Sequence, residues 1–388
     1  MISSRQLIAS AAAIAVLSAA APSFAADTVK IGLILPMTGP FASTGRQVGA
    51  GVHAYIALYG DTVGGKKVEI VLRDDAGTAD QTRRIAQELI VNDKVSMLMG
   101  FGLTPPAMAV APVISQAKGP AIITSATTSA IMSKSDYFVR TSMAGPQSAV
   151  PVATWAAKNS LKRVVTLVTD YVPGHDIEKG FTDQFKQDGG EIIEAVRVPL
   201  QNPDFAPFLQ RVRDAKPDAV FVFVPAGVGS LFMKQFVDRG LSDAGIKLIA
   251  TGDVTDDDLL GAIGDPALGV MTGHFYSAAH DSPENKAFVK QVKDAKIRPN
   301  FMAVGGFDAM HLAYAALAKT NGDTDGTKLI TAMKGAEWTS LRGPISIDPA
   351  TRDIVQGIYI RKLKKKDGGL YNVEFDTFKK IHDPFVAK

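Results

Sequence analysis

The chain contains no cysteine. Disulfides, thiolate nucleophiles, cysteine-based zinc sites and a thioether lipid anchor are all excluded. It also has little excess charge, a formal net +3 over 388 residues, too little to hold a nucleic acid or an anionic membrane by charge alone. Its one dense basic run, Lys362-Leu363-Lys364-Lys365-Lys366, has no interleaved aromatic residues and reads as the solvated flank of a turn. The six histidines form no H-x-x-x-H pair and no HExxH motif, which disfavours zinc. The acidic run Asp256-Asp257-Asp258 lacks the glycine and terminal glutamate spacing of an EF-hand, and is read as the cap and first turn of a helix over 257–263.

Enzyme signatures are missing as well. No G-x-G-x-x-G follows the first apolar strand, and no G-x-S-x-G elbow exists, since Ser230 stands in the wrong place in GVGSL. The stretch GDTVGGKK at 60–67 imitates a phosphate loop until its last residue, Lys67, and it precedes a strand where a phosphate loop would follow one. It is expected to be a Gly-Gly turn. No cofactor and no metal are expected.

What is present is an ordinary globular composition, 46% hydrophobic and 21% charged, in a chain long enough for two lobes. The N-terminus carries Arg5, then an apolar run over 7–21, then Ser23-Phe24-Ala25. This is the pattern of a secretory signal cleaved after Ala25. The run is short for a membrane span and no second such run follows. An exported chain without disulfides fits a bacterial periplasm. From residue 29 onward short apolar runs alternate with amphipathic segments, first over 29–141 and again over 147–250. Such alternation implies parallel sheets wrapped by helices. Breaks fall near Ala144, Ser277 and Asp348.

The stretch over 100–129, GFGLTPPAMAVAPVISQAKGPAIITSATTS, organises the rest. The strand before it ends near Gly100, and Thr104-Pro105-Pro106 opens a helix. A second strand, Ala121–Ile123, runs into Thr124-Ser125-Ala126-Thr127-Thr128-Ser129. Two neighbouring parallel strands would thus end in hydroxyl-rich loops at the carboxyl edge of the sheet, where open α/β sheets bind ligands. Free amides and the helix dipole there favour an anion, so a carboxylate could be held without arginine. Each of these hydroxyl residues could equally serve only as a cap.

Together, VKIGLILPMTGPFASTGRQVGAGVHAYI, VEIVLRDDAGTADQTRRIAQELIVNDKVSMLMG, AIITSATTS, VTDYVPG and RGPISIDPATRDIVQ resemble, in that order, the periplasmic Leu/Ile/Val-binding proteins, type I solute-binding proteins of ABC importers. The resemblance implies two doubly wound α/β lobes joined by a three-crossover hinge, with residues 26–143 plus 278–348 in one lobe and 144–277 plus 349–388 in the other. It implies a monomer that takes a small carboxylate solute in the interlobe cleft, performs no catalysis, and delivers the solute to the permease subunits. A ligand sensor on the same fold stays open. By the same resemblance, Thr104, Pro105, Thr127 and Thr128 fall where the ligand carboxylate is held, Asp253 where an ammonium is met, and Tyr171 where a tyrosine closes over the ligand. Tyr276 could reach the cleft or belong to the core. Pro105 and Pro106 remove two amide donors from the first loop. Thr44 and Ala226, with Pro225 and Gly227, stand where relatives carry bulkier residues and imply a wider pocket. The expected ligand is a branched-chain or other hydrophobic amino acid, with an aromatic carboxylate of the benzoate or cinnamate type as the alternative.

Overall fold

The structure, a computed structural model, describes residues 27–293 and 297–386; the expected export signal lies outside them. The first lobe is built from β1 (Thr28–Leu35), α1 (Ala42–Tyr59), β2 (Thr62–Val63), β3 (Lys66–Asp74), α2 (Ala79–Val91), β4 (Met97–Gly100), α3 (Thr104–Ala117), β5 (Ala121–Ile123) and β6 (Phe138–Arg140). Its sheet runs β2-β3-β1-β4-β5-β6. All neighbours are parallel except the β2–β3 pair, which turns at Gly64 and Gly65, both at positive φ. That turn is the stretch that imitated a phosphate loop. The central strands are apolar on both faces because helices cover both sides.

The second lobe follows: α4 (Gly145–Lys158), β7 (Arg163–Thr169), α5 (Val172–Gln187), β8 (Glu191–Val198), α6 (Ala206–Ala215), β9 (Ala219–Phe223), α7 (Gly229–Asp238), β10 (Lys247–Thr251), α8 (Leu260–Ile263) and β11 (Met271–His274). The chain then returns to the first lobe through α9 (Pro283–Lys293), α10 (Phe301–Lys319) and α11 (Gly326–Met333). It closes with β12 (Glu337–Ser340), β13 (Gly343–Ile347), β14 (Ile354–Lys366) and β15 (Gly369–Ile381). The second sheet runs β12-β13-β14-β11-β10-β9-β7-β8, with β15 paired to β14. Helix α10 is long and apolar enough to cross a membrane, but it is buried in the first lobe's core beside α1. The two helices cross at glycines. A Cβ on Gly51 would lie 1.9 Å from the Ala303 carbonyl oxygen, and one on Gly306 would lie 2.3 Å from that of Val48.

The chain passes between the lobes three times, and one buried cation touches all three passages. Arg342, between β12 and β13, is fully buried. Its guanidinium donates to the carbonyls of Thr141 and Ser142 on the first passage, stacks 4.2 Å over the Phe275 ring on the second, and donates to Gln356 Oε1 at 2.7 Å on β14. Asp308 of α10, also fully buried, neutralises it at 2.9 Å. Burial pushes the Asp308 carboxyl up and the Arg342 guanidinium down, each opposed by the other's charge. Asp308 is held in turn by Ser340 Oγ at 2.8 Å and Trp338 Nε1 at 3.2 Å. Removing one partner of such a pair leaves an uncompensated buried charge. Arg342→Met is therefore expected to lower unfolding free energy by about 3–5 kcal/mol, read from urea melts. Arg342→Met/Asp308→Leu should recover much of that loss.

Candidate functional site

The cleft between the lobes lies where the carboxyl ends of both sheets face each other. From the first lobe come Phe41 and Thr44 after β1, Gly102, Leu103 and Thr104 after β4, and Ser125, Ala126 and Thr127 after β5. From the second come Tyr171 after β7, Phe223 and Ala226 at and after β9, and Asp253 after β10. Phe301 and Met302 enter at the start of α10. They enclose about 440 Å³ of empty space, part of it open to solvent. The two walls already touch, with Gly227 against Pro40 and Phe41.

The first-lobe wall is a hydroxyl site without partners. Gly100 ends β4 at φ +118°, where a Cβ would meet the Ile34 carbonyl oxygen at 2.3 Å, and the buried Phe101 follows at φ +66°. This left-handed pair swings Gly102–Thr104 into the cleft; the unfavourable Phe101 backbone is held by core packing. Thr104 Oγ1 and Ser125 Oγ are buried and have no hydrogen-bond partner among the described residues. Buried polar groups are almost always satisfied, so two orphans in one cavity mark a place for a ligand acceptor. Pro105 and Pro106 follow Thr104 in the first turn of α3 and have no N–H to offer there.

The second-lobe wall carries a buried acid. Asp253 accepts from Thr251 Oγ1 at 3.0 Å. Burial pushes its carboxyl up to about 6, opposed by the Thr251 hydrogen bond and the Arg361 charge. Beside it the Tyr171 hydroxyl is raised by burial and by the Asp253 charge, so it stays an O–H donor at neutral pH. The Tyr171 ring is stacked on Phe223 with 6.1 Å between centroids and 11° between planes.

Six of the nine residues singled out from the sequence line this cavity: Thr44, Thr104, Thr127, Tyr171, Ala226 and Asp253. Three do not. Pro105 is exposed on α3. Thr128 points to the second lobe, donating to Asp176 Oδ2 at 2.6 Å. Tyr276 is core, its hydroxyl donating to Asn285 Oδ1 at 2.9 Å. Ser125 was passed over within the hydroxyl-rich run. Phe41, Phe223 and Phe301 gave no signal distinct from core aromatics.

The acidic run departs most from expectation. The helix anticipated over 257–263 is only Leu260–Ile263, because the three aspartates are drawn into tertiary contacts. Asn300 Nδ2 donates to both Asp256 oxygens at 3.0 and 2.8 Å, Arg298 lies 3.6 Å from Asp257, and Ser43 of α1 donates to Asp258 at 2.6 Å. Asn300 also caps α10, accepting from the amides of Met302 and Ala303. The run thus ties the second lobe to two of the first-lobe segments that border the cavity, the starts of α1 and α10.

The periplasmic binding protein family model matches residues 28–369. The chain belongs to that family. A Leu/Ile/Val-binding protein homolog 6 from Brucella melitensis is 45% identical over 96% of this chain and 97% of its own length. An ABC-transporter solute-binding protein from Rhodopseudomonas palustris BisB5, solved with 3,4-dihydroxybenzoic acid, is 59% identical, with a TM-score of 0.90 over 92% of this chain and 99% of its own. Another R. palustris solute-binding protein, solved with 4-hydroxybenzoate, is 43% identical with a TM-score of 0.90 over the same shares. The protein is thus an ABC-transporter solute-binding protein of type I architecture, and its family and neighbours are transport proteins, not enzymes.

Burial, opposed by the Asn300 and Asp258 amide hydrogen bonds and reinforced by the charges of Asp257 and Asp258, pushes Asp256 up to about 7 from an ordinary 3.8. Between those values the folded state keeps a proton that the unfolded chain releases. The stabilisation is complete below the unfolded pKa and is lost as pH rises through the folded one. The melting temperature of the wild type is therefore expected to fall relative to Asp256→Asn as pH rises from about 4 to about 7.5; a scan showing parallel curves would remove the assignment.

Proposed function

We propose that the ligand is an aromatic carboxylate bearing a phenolic hydroxyl, of the hydroxybenzoate class. The observation that carries this reading is the pairing of opposite walls: two orphan hydroxyl donors, Thr104 and Ser125, on one lobe and a buried acceptor, Asp253, on the other. The carboxylate lies at the hydroxyls. The ring lies in the slot bordered by Phe41, Phe223 and Ala226, and the phenol O–H donates to Asp253. A hydrogen bond to an ionised acceptor is roughly twice as strong as a neutral one. It also satisfies a carboxylate that would otherwise be buried against an anionic ligand at a cost of several kcal/mol. The solved relatives that bind hydroxybenzoates support it. Asp253 also favours a second reading, an amino acid whose ammonium pairs with the same carboxylate, and the names of the curated relatives support that one.

In the cell the protein is exported by its N-terminal signal, cleaved after Ala25, and works as a periplasmic monomer. Closure over the ligand presents both lobes to the permease, and the ligand favours the closed form through contacts to both walls. Catalysis is not part of this function.

Calorimetry with 4-hydroxybenzoate, benzoate and leucine tests the ligand class. Binding is expected in the order 4-hydroxybenzoate over benzoate, with no heat from leucine. Asp253→Asn should weaken 4-hydroxybenzoate by about 1–3 kcal/mol, roughly 5- to 150-fold, and should strengthen benzoate, which has no phenol to satisfy the buried carboxylate. Ser125→Ala should weaken both acids by about 1–2 kcal/mol. Leucine binding that depends on Asp253, with none from the phenolic acid, would establish the second reading instead.

A further inference from the structure

A second cavity, roomier than the cleft, lies elsewhere on the molecule. A groove of about 680 Å³ wraps the amino ends of β10 and β11, the edge of the second sheet opposite to Asp253. Its size falls within the roughly 300–1,000 Å³ of small-molecule sites. The walls are apolar: Trp155 at the end of α4, Phe236 of α7, Leu268, Met271 and Phe375. Phe375 is 50% exposed and Leu268 41% exposed. Trp155 and Phe375 meet edge to face, 6.4 Å between centroids, and form one rim. Single exposed apolar side chains are ordinary, but a concave set of them is a binding feature.

The charge around this groove is of one sign. Lys362 and Lys364 stand two apart on β14, on the same face, and Lys247 opens β10 on the far side. None of the three is within 4 Å of a carboxylate among the described residues, whereas the neighbouring Lys365 pairs with Asp265 at 2.6 Å. Asp218 feels the charge of Lys247, so Lys362 and Lys364 carry the uncompensated part. No acidic side chain lines the groove. Lysine stems lie well along apolar surface while their ammonium heads reach an anion.

We propose that this groove is a second ligand site, independent of the cleft, for a single-chain hydrophobic monoanion: an alkyl carboxylate whose chain lies on Trp155, Phe236 and Phe375 and whose head group meets Lys362 and Lys364. The proposal does not rest on the identity of the cleft ligand. Loss of the cleft reading leaves it standing, and its own loss leaves the cleft reading untouched.

The test is a calorimetric titration of laurate, below its micellar concentration, into the mature protein with and without 4-hydroxybenzoate. One laurate per chain is expected in both cases. Lys362→Glu/Lys364→Glu, an exposed pair whose reversal spares the core, should weaken laurate by about tenfold or more, as expected for lost charged hydrogen bonds, and leave binding in the cleft unchanged. Absence of laurate binding, displacement of laurate by 4-hydroxybenzoate, or equal binding by the double variant would each overturn the site. So would sedimentation showing a dimer through this face that excludes laurate.

Discussion

A single buried guanidinium holds the hinge. Arg342 touches all three interlobe passages, and it does so through a carbonyl pair, an aromatic face and a side-chain amide. Its charge must be balanced in place, and Asp308 supplies the balance from the middle of α10. That requirement couples α10 to the hinge. The amino end of the same helix supplies Phe301 and Met302 to the ligand cavity, and its cap, Asn300, grips Asp256 of the other lobe. A second buried cation, Arg140, repeats the device beside it, donating to Asp353 at 2.7 Å and to the Thr128 carbonyl at 2.8 Å. The loop that carries Ser125 and Thr127 is thereby anchored at its far end.

The cavity shows how a rigid frame makes a specific site from few polar groups. The first lobe brings hydroxyls that lack partners, the second an acid whose surroundings raise its pKa, and flat side chains fill the space between. Two of the buried polar groups left unsatisfied, Thr104 Oγ1 and Ser125 Oγ, are on the cavity wall, so a ligand with complementary groups would relieve a cost already present there. Contacts to both walls are needed for that relief. Under the proposed function, binding and closure are one equilibrium.

The alternation of short apolar strands and amphipathic helices was legible in the chain, because the periodicity of a buried parallel strand depends on its own residues. So was the Gly-Gly turn at 64–65. The hydroxyl-rich loops were legible as a region. Which hydroxyl faces the cavity was not. Neighbouring residues in a loop point in directions set by backbone angles that the surrounding core dictates, and here Ser125 and Thr127 line the cavity while Thr128 turns to Asp176. Tyr276 could be read either way from sequence, and its partner Asn285 puts it in the core. The aspartate run looked like a helix start because local capping chemistry was the only partner visible; its true partners, Ser43 and Asn300, are distant in the chain.

By itself, the sequence determined the class of the molecule: a two-lobed α/β chain without thiols, with hydroxyl-rich loops at the carboxyl edges of its strands. These properties follow from composition and from patterns a few residues long. Tertiary structure decided everything that needs two distant residues to meet: the pairing of Arg342 with Asp308, the burial of Thr104 and Ser125 without a partner among the described residues, and the raised pKa of Asp253. Desolvation is a property of the assembled surroundings, and no local pattern encodes it.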